Sequence, residues 1–200
     1  MLTISHDIRA PLSSIIGYIE LLLRRHPDER QQYYLENMKG SSDHILSLVN
    51  DLLDFQRLES GEMEVHSVPF RVPALFDEIY TSFQPIAEAK GLRFVLNLKP
   101  EETGQVYMGD PIRIRQVVGN LLSNAIKFTE AGRVVLLVSL QKLSAVHYQL
   151  SITVSDSGPG IPKEEQERIF GEFTRLADTE EVEGFGLGLS ITRKLLSLMN

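Results

Sequence analysis

The chain has 200 residues, 42% of them hydrophobic, enough for one large packed core or two small ones. It has no cysteine, five scattered histidines and a formal net charge of −7, which argues against disulfides, thiolate or zinc sites and a nucleic-acid surface. No apolar run approaches membrane-spanning length, and the first residues carry neither a basic leader nor a cleavage site. A cytoplasmic setting is the expectation.

The first predicted element is a helix from about Leu2 to Arg24. Ile4, Ile8, Leu12, Ile15, Ile16, Ile19, Leu22 and Leu23 fall at helical spacing and define one apolar face. His6 lies off that face, in line with the small residues Ala10, Ser13 and Gly17. Asp7 can reach the ring from the side and fix its tautomer. Pro11 removes a backbone donor inside the pattern, so a bend is expected one turn beyond the histidine. By itself the stretch reads as a surface histidine on an amphipathic helix.

Arg25-His26-Pro27-Asp28 breaks the pattern. A second long helix follows to near Gly61, with Leu35, Met38, Ser42, Ile45, Val49 and Leu52 in steps of three and four. The resulting antiparallel hairpin has more apolar surface than one partner helix covers. Dimerisation into a four-helix bundle is the economical solution, and packing of the stripe on the downstream domain is the alternative.

Composition changes after Gly61, which divides the chain into a helical segment, 1–62, and a mixed α+β segment, 63–200. The second segment predicts a strand at Val65 to Val72, a helix from Pro73 to about Lys90 stopped by Gly91, and a strand at Arg93 to Leu98. Gln105 to Met108 continues as strand. Asp110-Pro111 starts a helix that reaches Phe128. Two strands follow, Val134 to Gln141 and Tyr148 to Ser155, then a short helix near Lys163 to Phe170 and a last helix from Leu187 to Leu198. Helices on one face of a sheet are the expected layering.

Four clusters in this half carry chemistry suited to a nucleotide. Asn120, Asn124, Lys127 and Phe128 are three to four apart and share a helix face; amide oxygens suit Mg²⁺. Two solvated asparagines are the plain alternative, although asparagine is a poor choice in mid-helix. Asp156-Ser-Gly158-Pro-Gly160 puts a carboxylate beside glycines, where a flat ligand can approach the backbone and an exocyclic amine can donate. Alone it is an ordinary turn. Phe170, Phe173 and Arg175 form a third group, equally readable as local packing. Gly184-Phe-Gly186-Leu-Gly188-Leu189 opens a helix; it is not the dinucleotide fingerprint, but it supplies a hinge and a phosphate-binding end.

The blocks at His6, Asn120, Asp156, Phe170 and Gly184, in this order and spacing, resemble the five signature boxes of sensor histidine protein kinases of two-component systems. The resemblance covers nearly the whole chain. It implies a helical hairpin that dimerises into a four-helix bundle (1–62), followed by an ATP-binding α/β sandwich of the gyrase and Hsp90 type (63–200), truncated at its C-terminal strands. It also implies a fragment of a longer, membrane-anchored and even hybrid sensor, with this segment soluble. By position, His6 resembles the phosphorylated histidine and Asp7 its acid/base partner. Asn124 resembles the Mg²⁺ ligand, with Asn120, Lys127 and Phe128 near the phosphates. Asp156 resembles the adenine-reading carboxylate, in a pocket shaped by Gly158 and Gly160. Gly184, Gly186, Gly188 and Leu189 resemble the ATP lid, flanked by Phe170, Phe173 and Arg175. ATP and Mg²⁺ are the implied cofactors, and a response-regulator receiver domain is the implied partner. Ala10 stands where many relatives have Thr or Asn, which implies weak phosphatase activity toward that partner. A non-catalytic nucleotide-binding dimerisation or docking module is the alternative function.

Overall fold

A computed structural model of the chain describes residues 2–99, 105–174 and 186–199, with residues 2–7 as backbone only. It divides into two compact units, Met1–Met63 with Glu172–Ile191, and Glu64–Gly171 with Thr192–Asn200.

The first unit holds the hairpin of helices α1 (Leu2–Leu23) and α2 (Glu29–Glu59). Helix α1 runs unbroken through Pro11. Asp28 starts α2 with a reciprocal cap: its side chain accepts from Gln31 N–H, and the Gln31 side chain accepts from Asp28 N–H. Gly61, with φ of 69°, turns the chain out of α2. The hairpin buries Ile19 and Ser42. The heptad-spaced residues Ile8, Ile15 and Leu22 on α1, and Met38, Ile45 and Leu52 on α2, remain exposed.

The second unit is a two-layer α/β structure. Strands β1 (Val68–Phe70) and β3 (Tyr107–Gly109) pair antiparallel. The main sheet has the order β2-β4-β5, from β2 (Arg93–Leu98), β4 (Arg133–Lys142) and β5 (Tyr148–Asp156). Strand β2 is parallel to β4, and β4 is antiparallel to β5 with Val134 opposite Asp156. Helices α3 (Val72–Ala89) and α4 (Pro111–Phe128) pack on this sheet and on each other. Their interlocking side chains include Phe76, Ile79, Val118 and Leu122, with Val134, Leu136 and Val138 from alternate positions of β4. Each such side chain contributes about 1.5–3 kcal/mol by leaving water. Helix α5 (Gly188–Met199) completes the described chain. No helix among the described residues is long and apolar enough to cross a membrane.

Two expectations change. The strand predicted over Val65 to Val72 shortens to β1, because His66 N–H is taken by the Asp110 carboxylate at 2.9 Å and not by a ladder. The helix predicted over Lys163 to Phe170 is a series of turns ending in one 3₁₀ turn, Arg168–Phe170. Its hydrogen bonds are mostly of the tighter type, from Glu165 N to Pro162 O and from Gly171 N to Arg168 O. Strand β5 packs Leu150, Ile152 and Val154 inward, while Gln149, Ser151, Thr153 and Ser155 are exposed.

Candidate nucleotide site

Helix α4 carries the first predicted cluster. Asp110 caps it with one carboxylate oxygen on Ile112 N–H and Arg113 N–H, and Pro111 occupies the first turn. At its other end Thr129 is fully buried and its hydroxyl donates to Ala125 O at 2.7 Å. Lys90 Nζ donates to the last-turn carbonyls of Ile126 at 2.8 Å and Lys127 at 2.6 Å, a cation placed where the helix dipole is negative. The last two turns are therefore fixed at both backbone and side-chain level. They present Asn120, Asn124 and Lys127, all half-buried, and the exposed Phe128. Asn120 Nδ2 donates to Thr192 Oγ1 of α5 at 3.4 Å, and Lys127 Nζ lies 5.6 Å from the centre of the Phe128 ring.

The loop after β5 comes to the same end of α4. Asp156 ends the strand, and its Oδ1 accepts from Gly158 N–H at 2.8 Å. A Cβ on Gly158 would stand 2.9 Å from Phe128 O and 3.4 Å from Thr129 Oγ1. Only glycine lets the loop cross there. Ser157 anchors the loop from the other side, accepting from Arg133 N–H at 2.9 Å and donating to Ala131 O at 3.2 Å. Gly160 follows with φ of 75°. The predicted Asn120, Asn124, Lys127 and Phe128 thus share one helix, whose end meets the loop of Asp156 and Gly158.

The other predicted residues are described within their own units. Phe170 ends the 3₁₀ turn and belongs to the α/β unit. Phe173 belongs to the hairpin unit, where its ring meets Phe55 of α2 edge-on with centres 5.9 Å apart. Arg168 pairs with Glu165 at 2.6 Å. Gly186 has φ of 70°, and a Cβ there would stand 2.5 Å from Thr174 O. Gly188 and the half-buried Leu189 form the first turn of α5. His6 and Asp7 lie in α1 by backbone, with side chains outside the described set, and Arg175 and Gly184 lie outside the described residues.

Sequence reading missed Lys90, Thr129, Ser157 and Thr192. None of them forms a motif; each acts on a backbone or side-chain group brought close by the fold.

A carboxylate pinned at a strand end thus stands beside the end of a helix that carries two amides and a lysine, in a two-layer α/β fold. Comparison with known proteins supplies the family. Residues 2–61 match the His Kinase A (phospho-acceptor) domain, and residues 109–200 match the histidine kinase-, DNA gyrase B-, and HSP90-like ATPase domain. The chain carries the phospho-acceptor and ATPase domains of the histidine protein kinases. Among its relatives is the signal transduction histidine-protein kinase BarA of Escherichia coli K12, 38% identical over 98% of this chain and 21% of that protein. The sensor protein GacS of Pseudomonas syringae is 36% identical over 98% of this chain and 22% of that protein. The chain therefore spans 21% and 22% of the lengths of these relatives. The crystal structure of full-length ShkA in complex with AMPPNP superposes with a TM-score of 0.76 at 33% identity, over 99% of this chain and 40% of that one.

Proposed function

We propose that the chain is an ATP-dependent histidine autokinase that phosphorylates His6 and passes the phosphoryl group to an aspartate of a response-regulator receiver domain. One observation carries the reading: a cradle of the kind needed for ATP, built where Gly158 crosses the end of α4, lies on the same chain as a phospho-acceptor hairpin. The ATP analogue bound to ShkA, a relative covering 99% of this chain, supports ATP as the ligand. We assign 1–62 to dimerisation and phosphotransfer, and 63–200 to nucleotide binding. The exposed heptad stripes of α1 and α2 support a homodimer through the hairpin. The setting proposed is cytoplasmic, as part of a membrane-anchored parent.

The roles follow from chemistry. Asp156 accepts a hydrogen bond from the exocyclic amine of adenine, its other oxygen being held by Gly158 N–H. Lys127 sets a cation against the phosphates, with Asn120 and Phe128 beside it. By the resemblance to the family, Gly184, Gly186, Gly188 and Leu189 are assigned to the ATP lid, with Phe170, Phe173 and Arg175 at its near side. Among the described residues no three His, Cys, Asp or Glu side chains cluster to hold a metal. A Mg²⁺ ion is therefore assigned to the hard amide oxygen of Asn124 together with the nucleotide phosphates and water, where it would neutralise phosphate charge. The lone pair of unprotonated His6 Nε2 attacks the γ-phosphorus in line. An N–P bond forms as the bond to the bridging oxygen breaks, and ADP leaves with that electron pair. Asp7 holds the Nδ1 proton and steadies the charge that develops on the ring. Catalysis is then positioning and electrostatics.

Incubation with γ-labelled ATP and Mg²⁺, alongside His6→Ala and Asn124→Ala, tests this. Acid-labile, base-stable label is expected on the wild type and on neither variant. Label on His6→Ala would overturn the assignment.

A further inference from the structure

Helix α4 ends without a glycine turn. Its C-cap, Thr129, is extended, with φ of −94° and ψ of 117°, so the last-turn carbonyls need donors from outside the regular helix. Ala125 O accepts from the Thr129 N–H at 3.1 Å and from its hydroxyl at 2.7 Å. The next two carbonyls, of Ile126 and Lys127, accept from the Lys90 ammonium at 2.8 and 2.6 Å. Phe128 O, the last of the four, is the atom that a Cβ on Gly158 would meet at 2.9 Å.

Lys90 is itself held at its base. It is the C-cap of α3, with its N–H on Ala87 O. Gly91 N–H and Leu92 N–H close the turn onto Glu88 O and Ala87 O, both at 2.9 Å, and Ala87 and Leu92 are buried. One residue further on, Arg93 N–H donates to Gly132 O at 2.9 Å, which ties the same turn to the residue before β4. A long side chain that starts from so fixed a turn has less freedom to lose in holding its charge in place. A continuous path of contacts therefore runs from Lys90 through the end of α4 to Gly158, whose N–H donates to Asp156 Oδ1 at 2.8 Å.

We propose that Lys90 is a positioning residue for adenine recognition: by fixing the end of α4 it sets the seat of Gly158, and through Gly158 the direction of the Asp156 carboxylate. This rests on Asp156 being the group that reads the exocyclic amine. An ammonium at the negative end of a helix also stabilises the helix, so general support of the fold is the competing role. The two roles differ in what they do to base discrimination. A carboxylate aimed at the amine separates adenine from hypoxanthine, which carries an acceptor oxygen in that place. A carboxylate turned aside loses that separation, whereas a softened fold weakens both bases alike.

The test compares Lys90→Met, Lys90→Gln and Lys90→Arg with wild type by calorimetric titration of ADP and IDP, which differ only in the base and donate no phosphoryl group in the proposed reaction. Wild type is expected to prefer ADP by at least roughly tenfold. Lys90→Met is expected to bind ADP roughly tenfold more weakly and IDP within about twofold of wild type, so that the preference collapses. Lys90→Gln, a neutral donor, keeps part of it, and supplies the same comparison should Lys90→Met not fold. Lys90→Arg, charged and able to donate to both carbonyls, keeps nearly all of it. In the Asp156→Ala background no carboxylate remains to be aimed, and Lys90→Met leaves the preference unchanged. The Gly158 amide proton, followed by NMR in nucleotide-free protein, moves upfield in Lys90→Met as its hydrogen bond to the carboxylate weakens, with thermal melts as the control for folding. Equal weakening of ADP and IDP in Lys90→Met, or a Gly158 resonance that stays in place, would overturn the proposal. Wild type that binds ADP and IDP alike would overturn the adenine reading of Asp156 alone, and the Gly158 resonance would still decide whether Lys90 aims that carboxylate.

Discussion

The backbone N–H of Gly158 donates to Asp156 Oδ1 at 2.8 Å, and a Cβ on Gly158 would stand 2.9 Å from that same oxygen. One residue therefore both orients the carboxylate and leaves the room for it. Substitution by alanine forces either the carboxylate or the loop away from Phe128 O, which is also 2.9 Å from the added carbon. Such overpacking costs about 1–3 kcal/mol. Gly158→Ala is expected to bind ATP roughly ten- to a hundredfold more weakly while keeping its helical and strand content. Titration calorimetry with a non-hydrolysable ATP analogue measures this. Unchanged affinity would remove Gly158 and its contact with Asp156 from the site.

Asp110 supports the other end of α4. Burial would raise its pKa, but the backbone N–H groups of His66 and Arg113, the Arg113 guanidinium and Ile112 N–H together hold its carboxyl below the ordinary 3.8. The side chain is 5% exposed, and it links the chain before β1 to the start of α4. Loss of the cap and of the partner for His66 N–H gives an expected destabilisation of about 2–3 kcal/mol for Asp110→Ala. Asp110→Asn keeps a capping oxygen but cannot keep every donor. Because the folded pKa is the lower one, the ionised carboxylate stabilises the fold above pH 3.8, and that contribution disappears as pH falls through the folded value. The stability gap between wild type and Asp110→Asn should close in that window, as read by thermal melts from pH 7 down to 3.

What local chemistry dictates was legible in the chain. Asp110-Pro111 starts α4, Gly91 with φ of 72° follows the end of α3, and β2 occupies Arg93–Leu98, all as their residue types require. Asn120 and Asn124 could be placed on one helix face for the same reason. Contacts between distant residues could not be read. Lys90 has no signature as the group that satisfies the last carbonyls of α4, more than thirty residues downstream. Nor does Phe173 announce that it meets Phe55. The stretch Lys163 to Phe170 has helix-forming composition, yet Pro162 and Gly171 leave it too short to stabilise beyond isolated turns.

Asp51 shows the opposite electrostatics within α2. Burial, and next the neighbouring Asp54, push its carboxyl up to about 6 from 3.8. Well below pH 3.8 the group is protonated whether the chain is folded or unfolded, and it has no effect. As pH rises from 4 to 6 the unfolded chain releases the proton while the folded chain holds it, so folding is progressively penalised. Asp51→Asn is therefore expected to match wild type at pH 3 and to be more stable at pH 7. With its partial exposure discounted, the gain is about 1 kcal/mol. Denaturant titrations at the two pH values measure it, and a gain of equal size at both would show that the charge is not the cause.

The exposed stripes of the hairpin specify an oligomer. Ile8, Ile15 and Leu22 repeat every seven residues on α1, as do Met38, Ile45 and Leu52 on α2, and all six face outward from their own chain. A seven-residue repeat keeps such a seam against a partner helix along its whole length. In a two-fold dimer every residue of the seam counts twice. Replacing Ile15, 44% exposed in the single chain, by glutamate would forfeit about 1.5–3 kcal/mol per copy and set two carboxylates in an apolar seam. Ile15→Glu is expected to weaken dimerisation by at least roughly a hundredfold, and Met38→Glu to act likewise. Sedimentation equilibrium over a concentration series reads this directly, with α-helical content as the control for folding. Tyr33→Glu, a change at an exposed aromatic off the heptad positions, should leave the dimer intact. Equal weakening by all three would mean that net charge and not the seam governs association, and a wild type that stays monomeric at every concentration would rule the seam out as a dimer interface.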